Sequence, residues 1–439
     1  MRPLLLLIML CGLALPAAAT ADSVQALQRD LAGQMHRAGA ASGALAIDVS
    51  ARRTLYGSRS TTGRLPASVE KLWTTSAVLT RFGARAVLRT RVFGSGRLDS
   101  HGTWHGDLYL RGGGDPTFGH RSFARSAYGS GGSVEDLASA VRRAGITAIT
   151  GLVVGDESAF DTRRGTAPSG YRPSIDIGGP LSALSFDRGL TEGGGAFQSN
   201  PASYAAAQLV HALRAAHVTV PSGHVASGRT PASTRSRPSL ASASSPSVAR
   251  LIRLTNVPSD NLFAELLLKG LGARFGGAGT TGRGAGVASK QADGLGLHPT
   301  VLDGSGLSRG DRTSPSQMVG LLRRYASNRT FTDSLAVAGR SGTLENRMGG
   351  TSAAGRCRGK TGTLHDASNL VGYCRTRNDH LVVFAWLMNF IDPSRAHTLQ
   401  DRMTEALARY RAAGAVTKQA PAPAPADPPP ASGGAPAHP

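Results

Sequence analysis

The stretch that most limits how this chain folds runs from Leu65 to Phe82. Beyond Pro66 it holds neither glycine nor proline until Gly83, and Leu72, Ala77, Val78 and Leu79 are apolar. That pattern predicts a helix, largely buried, with Pro66 and Ser68 at its start. Ser68 and Lys71 stand three residues apart, so a helix puts both on one face. A serine hydroxyl is a weak nucleophile until a neighbouring base takes its proton, and a lysine on the same face is such a base. The positive end of the helix adds free N–H groups able to receive an oxyanion. By itself the pair fits a capping serine just as well. Lysine usage favours the chemical reading: of 49 Lys and Arg residues, lysine stands only at positions 71, 269, 290, 360 and 418. Arginine carries charge equally well but does not give up its proton, so a base has to be lysine.

Arg2, the apolar run Leu4 to Leu15, Pro16 and the small residues ending in Ala19-Thr20-Ala21 read as a secretory signal, residues 1–21, cut before Asp22. The run is too short to span a bilayer, and no later stretch reaches about 18 apolar residues, so the expectation is a periplasmic or extracellular protein that touches membrane at most peripherally. Cys357 and Cys374 are then the cysteines left in an oxidising compartment. No metal site is expected from two cysteines with no histidine at ligand spacing beside them. A net charge of +21 suits an anionic neighbour such as a cell-wall polymer or a membrane surface. Nucleic acid is set aside, because the chain is exported, has 5% aromatic residues and lacks a Lys/Arg cluster. From Ala415 onward Ala, Pro and Gly dominate, which predicts a disordered tail over 415–439.

Between these ends, Gly43 to Val49 and Thr54 to Tyr56 read as a hairpin. Leu88 to Phe93, Gly106 to Arg111 and Gly151 to Val154 read as strands, Val134 to Ala144 and Pro201 to Ala216 as helices, and Ser222 to Ser247 as a connection. The expected division is 22–85 with 248–414 as one domain and 86–247 as an inserted α+β domain. Two more stretches carry chemistry. Ser259 and Asn261 stand at the start of an apolar helix that runs to Leu271, and Lys360-Thr361-Gly362-Thr363 lies on a strand. Taken singly, they are a capped helix and an edge strand with a solvated lysine.

The order Ser-x-x-Lys, Ser-x-Asn, Lys-Thr-Gly is the signature of penicillin-interacting serine enzymes. Together with Gly106 to Pro116, Leu302 to Arg309 and Ala338 to Leu344, it makes the chain resemble the D-alanyl-D-alanine carboxypeptidase/endopeptidase family, the class C penicillin-binding proteins, from about Gly43 to Met388. The resemblance implies an α/β fold: a serine β-lactamase/transpeptidase-like domain, with an antiparallel sheet from Gly43 to Tyr56 and Arg356 to Asn389. Helices including Leu399 to Ala412 would flank it. The third domain that relatives nest in the insertion is here reduced to Arg188 to Ser199.

It also implies hydrolysis of peptidoglycan stem peptides and cross-links through an acyl-enzyme, acylation by β-lactams, and no cofactor. Ser68 would be the nucleophile and Lys71 its base. Ser259 would relay a proton to the leaving amine, and Asn261 would hold Lys71 and the substrate amide. Lys360, Thr361, Gly362 and Thr363 would bind the substrate, chiefly its terminal carboxylate, and the N–H groups of Ser68 and Thr363 would form the oxyanion hole. On this division of roles Lys360→Arg should be a mild change. Arg309, Asp156 and Phe160 match family positions around the free end of the diamino acid side chain, while His365 stands where a glutamine can occur. A β-lactamase shares the three motifs, but the insertion between Ser68 and Ser259 is too long for one. A catalytically silent cell-wall binding protein is opposed by the intact motifs. Finally, if Thr363 faces Ser368 across a hairpin, Cys357 falls opposite Cys374, within reach of a disulfide.

Overall fold

The computed structural model describes residues 18–412, so the expected tail and most of the expected signal lie outside the described residues. The first helix, Ala18–Ala38, runs across the expected cleavage point. In chain order the strands are β1 (Gly43–Asp48), β2 (Arg53–Ser58), β3 (Arg89–Leu98), β4 (Thr103–Arg111), β5 (Ala148–Ile149), β6 (Val153–Asp156), β7 (Val225–Ser227), β8 (Ala241–Ser244), β9 (Ala336–Val337), β10 (Cys357–Leu364), β11 (Ala367–Arg375) and β12 (Leu381–Asn389). They form two sheets. The first has the order β2-β1-β12-β11-β10-β9 and is antiparallel throughout.

β11 and β12 are buried along almost their whole length, because helices cover both faces of the first sheet. Alternation along the strands decides which face each residue meets. Val371, Tyr373, Val383, Ala385 and Leu387 pack with the helices Lys71–Phe82, Val248–Asn256, Asn261–Phe275 and Pro315–Tyr325. Leu370, Phe384, Trp386 and Met388 meet the helices Ala18–Ala38 and Pro393–Arg409 on the other side.

Residues between β2 and β9 build the second sheet, in the order β7-β6-β4-β3-β8 with β5 also beside β4. Here β4 pairs in parallel with β5 and β6, and β6 with β7. β3 extends beyond the expected Phe93. Gly94 reads as a stop in the sequence, but a Cβ there would stand 2.2 Å from the Trp104 ring, so the glycine makes room for that ring while the strand continues. The stretch Ser222 to Ser247, expected as a connection, supplies the edge strands β7 and β8. Edge strands this short are held by backbone hydrogen bonds and leave little apolar pattern to read. Phe160, Ile177, Leu181 and Ala183 from this part of the chain pack on Leu262 and Leu266 of the Asn261 helix.

Thr363 faces Ser368 across the β10–β11 hairpin, Cys357 lies opposite Cys374, and the two sulfurs are bonded. The bridge closes a sequence separation of 17 residues. Removing it in a C357A/C374A variant should lower unfolding free energy by roughly 3 kcal/mol on loop-closure grounds. Urea denaturation of the two oxidised proteins measures this, and coincident midpoints would show that the bridge adds nothing.

Candidate active site

Residues Ala67–Glu70 form one 3-10 turn that leads into the helix Lys71–Phe82. Ala67, immediately before Ser68, has φ 46°, a left-handed conformation that costs a non-glycine residue about 1–2 kcal/mol. The central strands hold it there. Asn369 Nδ2 donates to the carbonyls of Leu65 (3.0 Å) and Pro66 (2.7 Å), and Leu65 N–H donates to Asn389 Oδ1 at 2.9 Å. On β10, a Cβ at position 362 would sit 2.7 Å from the Pro66 carbonyl and 2.9 Å from the Ser68 nitrogen. Glycine is therefore what lets β10 close on the Ser68 turn.

Lys71 is fully buried, and its Nζ lies 2.9 Å from Ser68 Oγ, 2.5 Å from Asn261 Oδ1 and 2.7 Å from the Ser305 carbonyl. Asn261 Oδ1 and the Ser305 carbonyl can only accept hydrogen bonds. A neutral amine has two N–H bonds to satisfy both, which leaves its lone pair for the Ser68 hydroxyl. Burial brings Lys71 down to about 8, while the charges of Asp303 and Glu265 pull it back up.

Ser259 has φ 66°, and its Oγ accepts from Lys360 Nζ at 2.7 Å. Lys360 Nζ also donates to the Thr361 carbonyl at 2.8 Å, and Thr361 Oγ1 donates to Thr343 Oγ1 at 2.8 Å. Lys360 is fully enclosed; burial, and then the nearby Lys71 charge, hold it well below the usual lysine range. The expected mildness of Lys360→Arg rested on a guanidinium serving a carboxylate as well as an ammonium does, and the full burial of Lys360 adds a steric cost to that change. Between the two serine–lysine pairs, Asp260 caps the Asn261 helix by accepting from Phe263 N–H at 3.0 Å. Asp260 is itself held by Arg188 at 2.6 Å.

Asp156 and Phe160 are not brought to this group. Asp156 is fully buried at the end of β6, where it accepts from Arg111 Nη1 (2.8 Å), Ser158 N–H (2.8 Å) and Thr230 N–H (2.9 Å). Phe160 is buried in the contact with Leu262 and Leu266, so it braces the Asn261 helix from within. Arg309, half-exposed, forms a two-pronged pair with Asp366 at 2.6 and 2.7 Å. Thus the three side chains expected around one ligand end have separate partners.

Sequence reasoning missed four buried carboxyl groups around Lys71: Glu70, Glu265, Asp303 and Asp311. Glu265 Oε1 accepts from the N–H groups of Gly304 (2.9 Å) and Ser305 (2.8 Å), fixing the loop whose Ser305 carbonyl meets Lys71. Asp303 accepts from Gly306 and Ser308, each at 2.7 Å, and Asp311 from Leu302 at 2.7 Å. Among the described residues neither oxygen of Glu70 has a hydrogen-bond partner. Burial, reinforced by mutual repulsion, raises Glu265 to about 8 and Asp311 to about 9, and lifts Glu70 well above the carboxylate range. Raised in this way, Glu265, Asp311 and Glu70 hold the Lys71 cation less strongly than fully ionised carboxylates would. The available signal was Glu70 itself, an acid beside Lys71 at the start of a helix read as buried.

Comparison with known proteins bears on this geometry. The family described as D-Ala-D-Ala carboxypeptidase 3 (S13) matches residues 24–191 and 188–410. A D-alanyl-D-alanine carboxypeptidase of an Actinomadura species is 28% identical over 454 aligned positions, covering 85% of this chain and 82% of that protein. Carboxypeptidase DacB of Mycolicibacterium smegmatis is 30% identical, covering 75% of this chain and 72% of that one. Among solved structures, penicillin binding protein 4 of Haemophilus influenzae superposes with a TM-score of 0.70 at 18% identity, covering 85% of this chain and 97% of that chain.

Proposed function

The chain belongs to the D-Ala-D-Ala carboxypeptidase 3 (S13) family, and from that membership and the surroundings of Ser68 we propose a serine D-alanyl-D-alanine carboxypeptidase and endopeptidase of peptidoglycan. One observation carries the reading: two carbonyl oxygens engage the Lys71 amine, and its remaining position meets Ser68 Oγ. Lys71 takes the hydroxyl proton as Ser68 Oγ bonds to the carbonyl carbon of a D-Ala-D-Xaa peptide. The resulting oxyanion faces the N–H groups of Ser68 and Thr363. Ser259, beside Lys360, relays to the leaving amine the proton that Lys71 took, so that Lys71 is neutral again as the carbon–nitrogen bond breaks. Water then attacks the ester and frees Ser68. A free D-alanine leaves in the carboxypeptidase reaction, and the side-chain amine of a neighbouring peptide in the endopeptidase reaction. Lys360, Thr361 and Thr363 receive the terminal carboxylate, and Gly362 lets their strand approach.

β-Lactams enter the same path as acylating pseudo-substrates. The two sheets with their separate cores support the division into a penicillin-binding domain, 22–85 with 248–414, and an inserted domain, 86–247. Action on the cell wall and the N-terminal signal pattern support export to the periplasm or beyond. Among the described residues no helix is long and apolar enough to cross a membrane.

Incubation with a fluorescent penicillin, followed by mass mapping of the label, tests the assignment. One label per chain on Ser68 is expected, and Ser68→Ala should abolish it while the melting temperature holds. A label on Ser259, or one that survives in the variant, would sink the reading.

A further inference from the structure

The helix Thr281–Asp293 carries residues that neither its own stability nor the active site explains. Arg283, Gly286 and Lys290 follow one another at intervals of three and four, so they lie on one face. With Gly282, and with Arg81 and Phe275 from the last turns of the helices Lys71–Phe82 and Asn261–Phe275, they line a cavity of about 340 Å³. Arg81 is held in place, its guanidinium carbon 4.6 Å from the centre of the Phe275 ring. No carboxylate lines this cavity, and among the described residues none of the three cations forms an ion pair. Asp293, the acid of the same helix, is paired with His298 at 2.7 Å. A larger cavity of about 580 Å³ beside β10 and β11 differs, because Asp333 and Asp379 stand among its arginines and pair with Arg358 and Arg356.

Two features count against a purely structural role. Arg283 is the third residue of its helix, near the positive end of the helix dipole, where a cation is unfavourable. Gly282 and Gly286 weaken a helix relative to alanine, yet a Cβ at either would meet nothing within 4 Å, so packing does not ask for glycine there. Gly284 between them is the contrast, since its Cβ would stand 2.0 Å from the Leu268 carbonyl. What the other two glycines provide is open space among the cations. A single carboxylate fills one guanidinium fork, whereas a phosphate group has oxygens enough for both arginines and the lysine. We propose that this cavity is a phosphate-binding site, separate from the site at Ser68. Arg81 stands ten positions after Lys71 on one helix, which puts the cavity about 15 Å along the axis from the base. A phosphate group bound there holds the enzyme to phosphate-bearing material without entering the reaction.

Calorimetric titration of the full chain with inorganic pyrophosphate tests the site. Saturable binding is expected, and Arg283→Ala and Lys290→Ala should each weaken it on the order of tenfold, the usual worth of a charge-assisted hydrogen bond. Arg97→Ala removes the same charge from an exposed position on β3 and should change nothing. Gly286→Asp supplies a carboxylate from within the cavity; it should abolish binding while penicillin labelling of Ser68 persists. Cosedimentation with phosphatidylglycerol vesicles distinguishes the sources of phosphate. Sedimentation that Arg283→Ala removes assigns the group to a lipid headgroup, and sedimentation that is absent or unchanged in that variant assigns it to a free phosphate. Failure of the unaltered chain to bind pyrophosphate would overturn the proposal, as would undiminished binding by Gly286→Asp. Equal losses in Arg97→Ala and Arg283→Ala would overturn it too, since they would mean attraction to the whole charge of +21.

Discussion

Lys71→Arg should slow acylation by penicillin on the order of a thousandfold or more, within the range that a positioned general base contributes. The substitution keeps the charge and removes the basicity, since a guanidinium stays protonated at any working pH. Lys71→Met, which fits the same buried space without a proton to exchange, should lose as much. The pH profile separates this from mere disturbance of the site. With Lys71 near 8, its neutral fraction grows with pH below that value, so acylation of the unaltered enzyme should rise roughly tenfold per pH unit between about 6 and 7 and level off above 8. In Lys71→Arg the acid limb should vanish along with the rate. Second-order rate constants measured across this range decide it: a variant that keeps the limb, or loses less than about tenfold, would remove Lys71 from the role of base.

Asp311→Asn should stabilise the protein at pH 7 by several kcal/mol, on the order of 3 to 4, and do nothing near pH 4. Burial, then the charges of Asp303 and Glu265, raise the Asp311 carboxyl from 3.8 to about 9 in the folded state. Between those values the folded protein keeps a proton that the unfolded chain has released. Stability from this group is therefore fully present below 3.8 and is lost as pH rises toward 9. Asparagine is neutral throughout, and its Oδ1 can still accept from Leu302 N–H, which lies 2.7 Å from the present oxygen. Urea midpoints of the two proteins near pH 4 and at pH 7 supply the check. A variant destabilised at pH 7, or stabilised equally at both, would mean that Asp311 is ionised in the native state.

What the sequence by itself determined is local. The three-residue spacing of Ser68 and Lys71, the capped start of the Asn261 helix, the strand carrying Lys360 and the register that opposes Cys357 to Cys374 depend on helix and strand periods, and these act over a few neighbouring positions. The central strands β11 and β12 came from the resemblance, which implied a sheet from Arg356 to Asn389, while β5, β7, β8 and β9, at two to four residues, are too short for a period to show. The resemblance had named Asn261, 190 positions away, as a partner of Lys71, and only the tertiary structure added the Ser305 carbonyl, 234 positions away. It also decided that Asn369, 303 positions from Pro66, holds the turn before the nucleophile. Asp156 and Phe160 show the converse, residues whose sequence positions suggested a ligand and whose packing gave them internal partners. Hydrogen-bond partners, burial and the protonation of Glu70, Glu265, Asp303 and Asp311 depend on which distant segments close over a side chain and exclude water, and no pattern among its sequence neighbours encodes that enclosure.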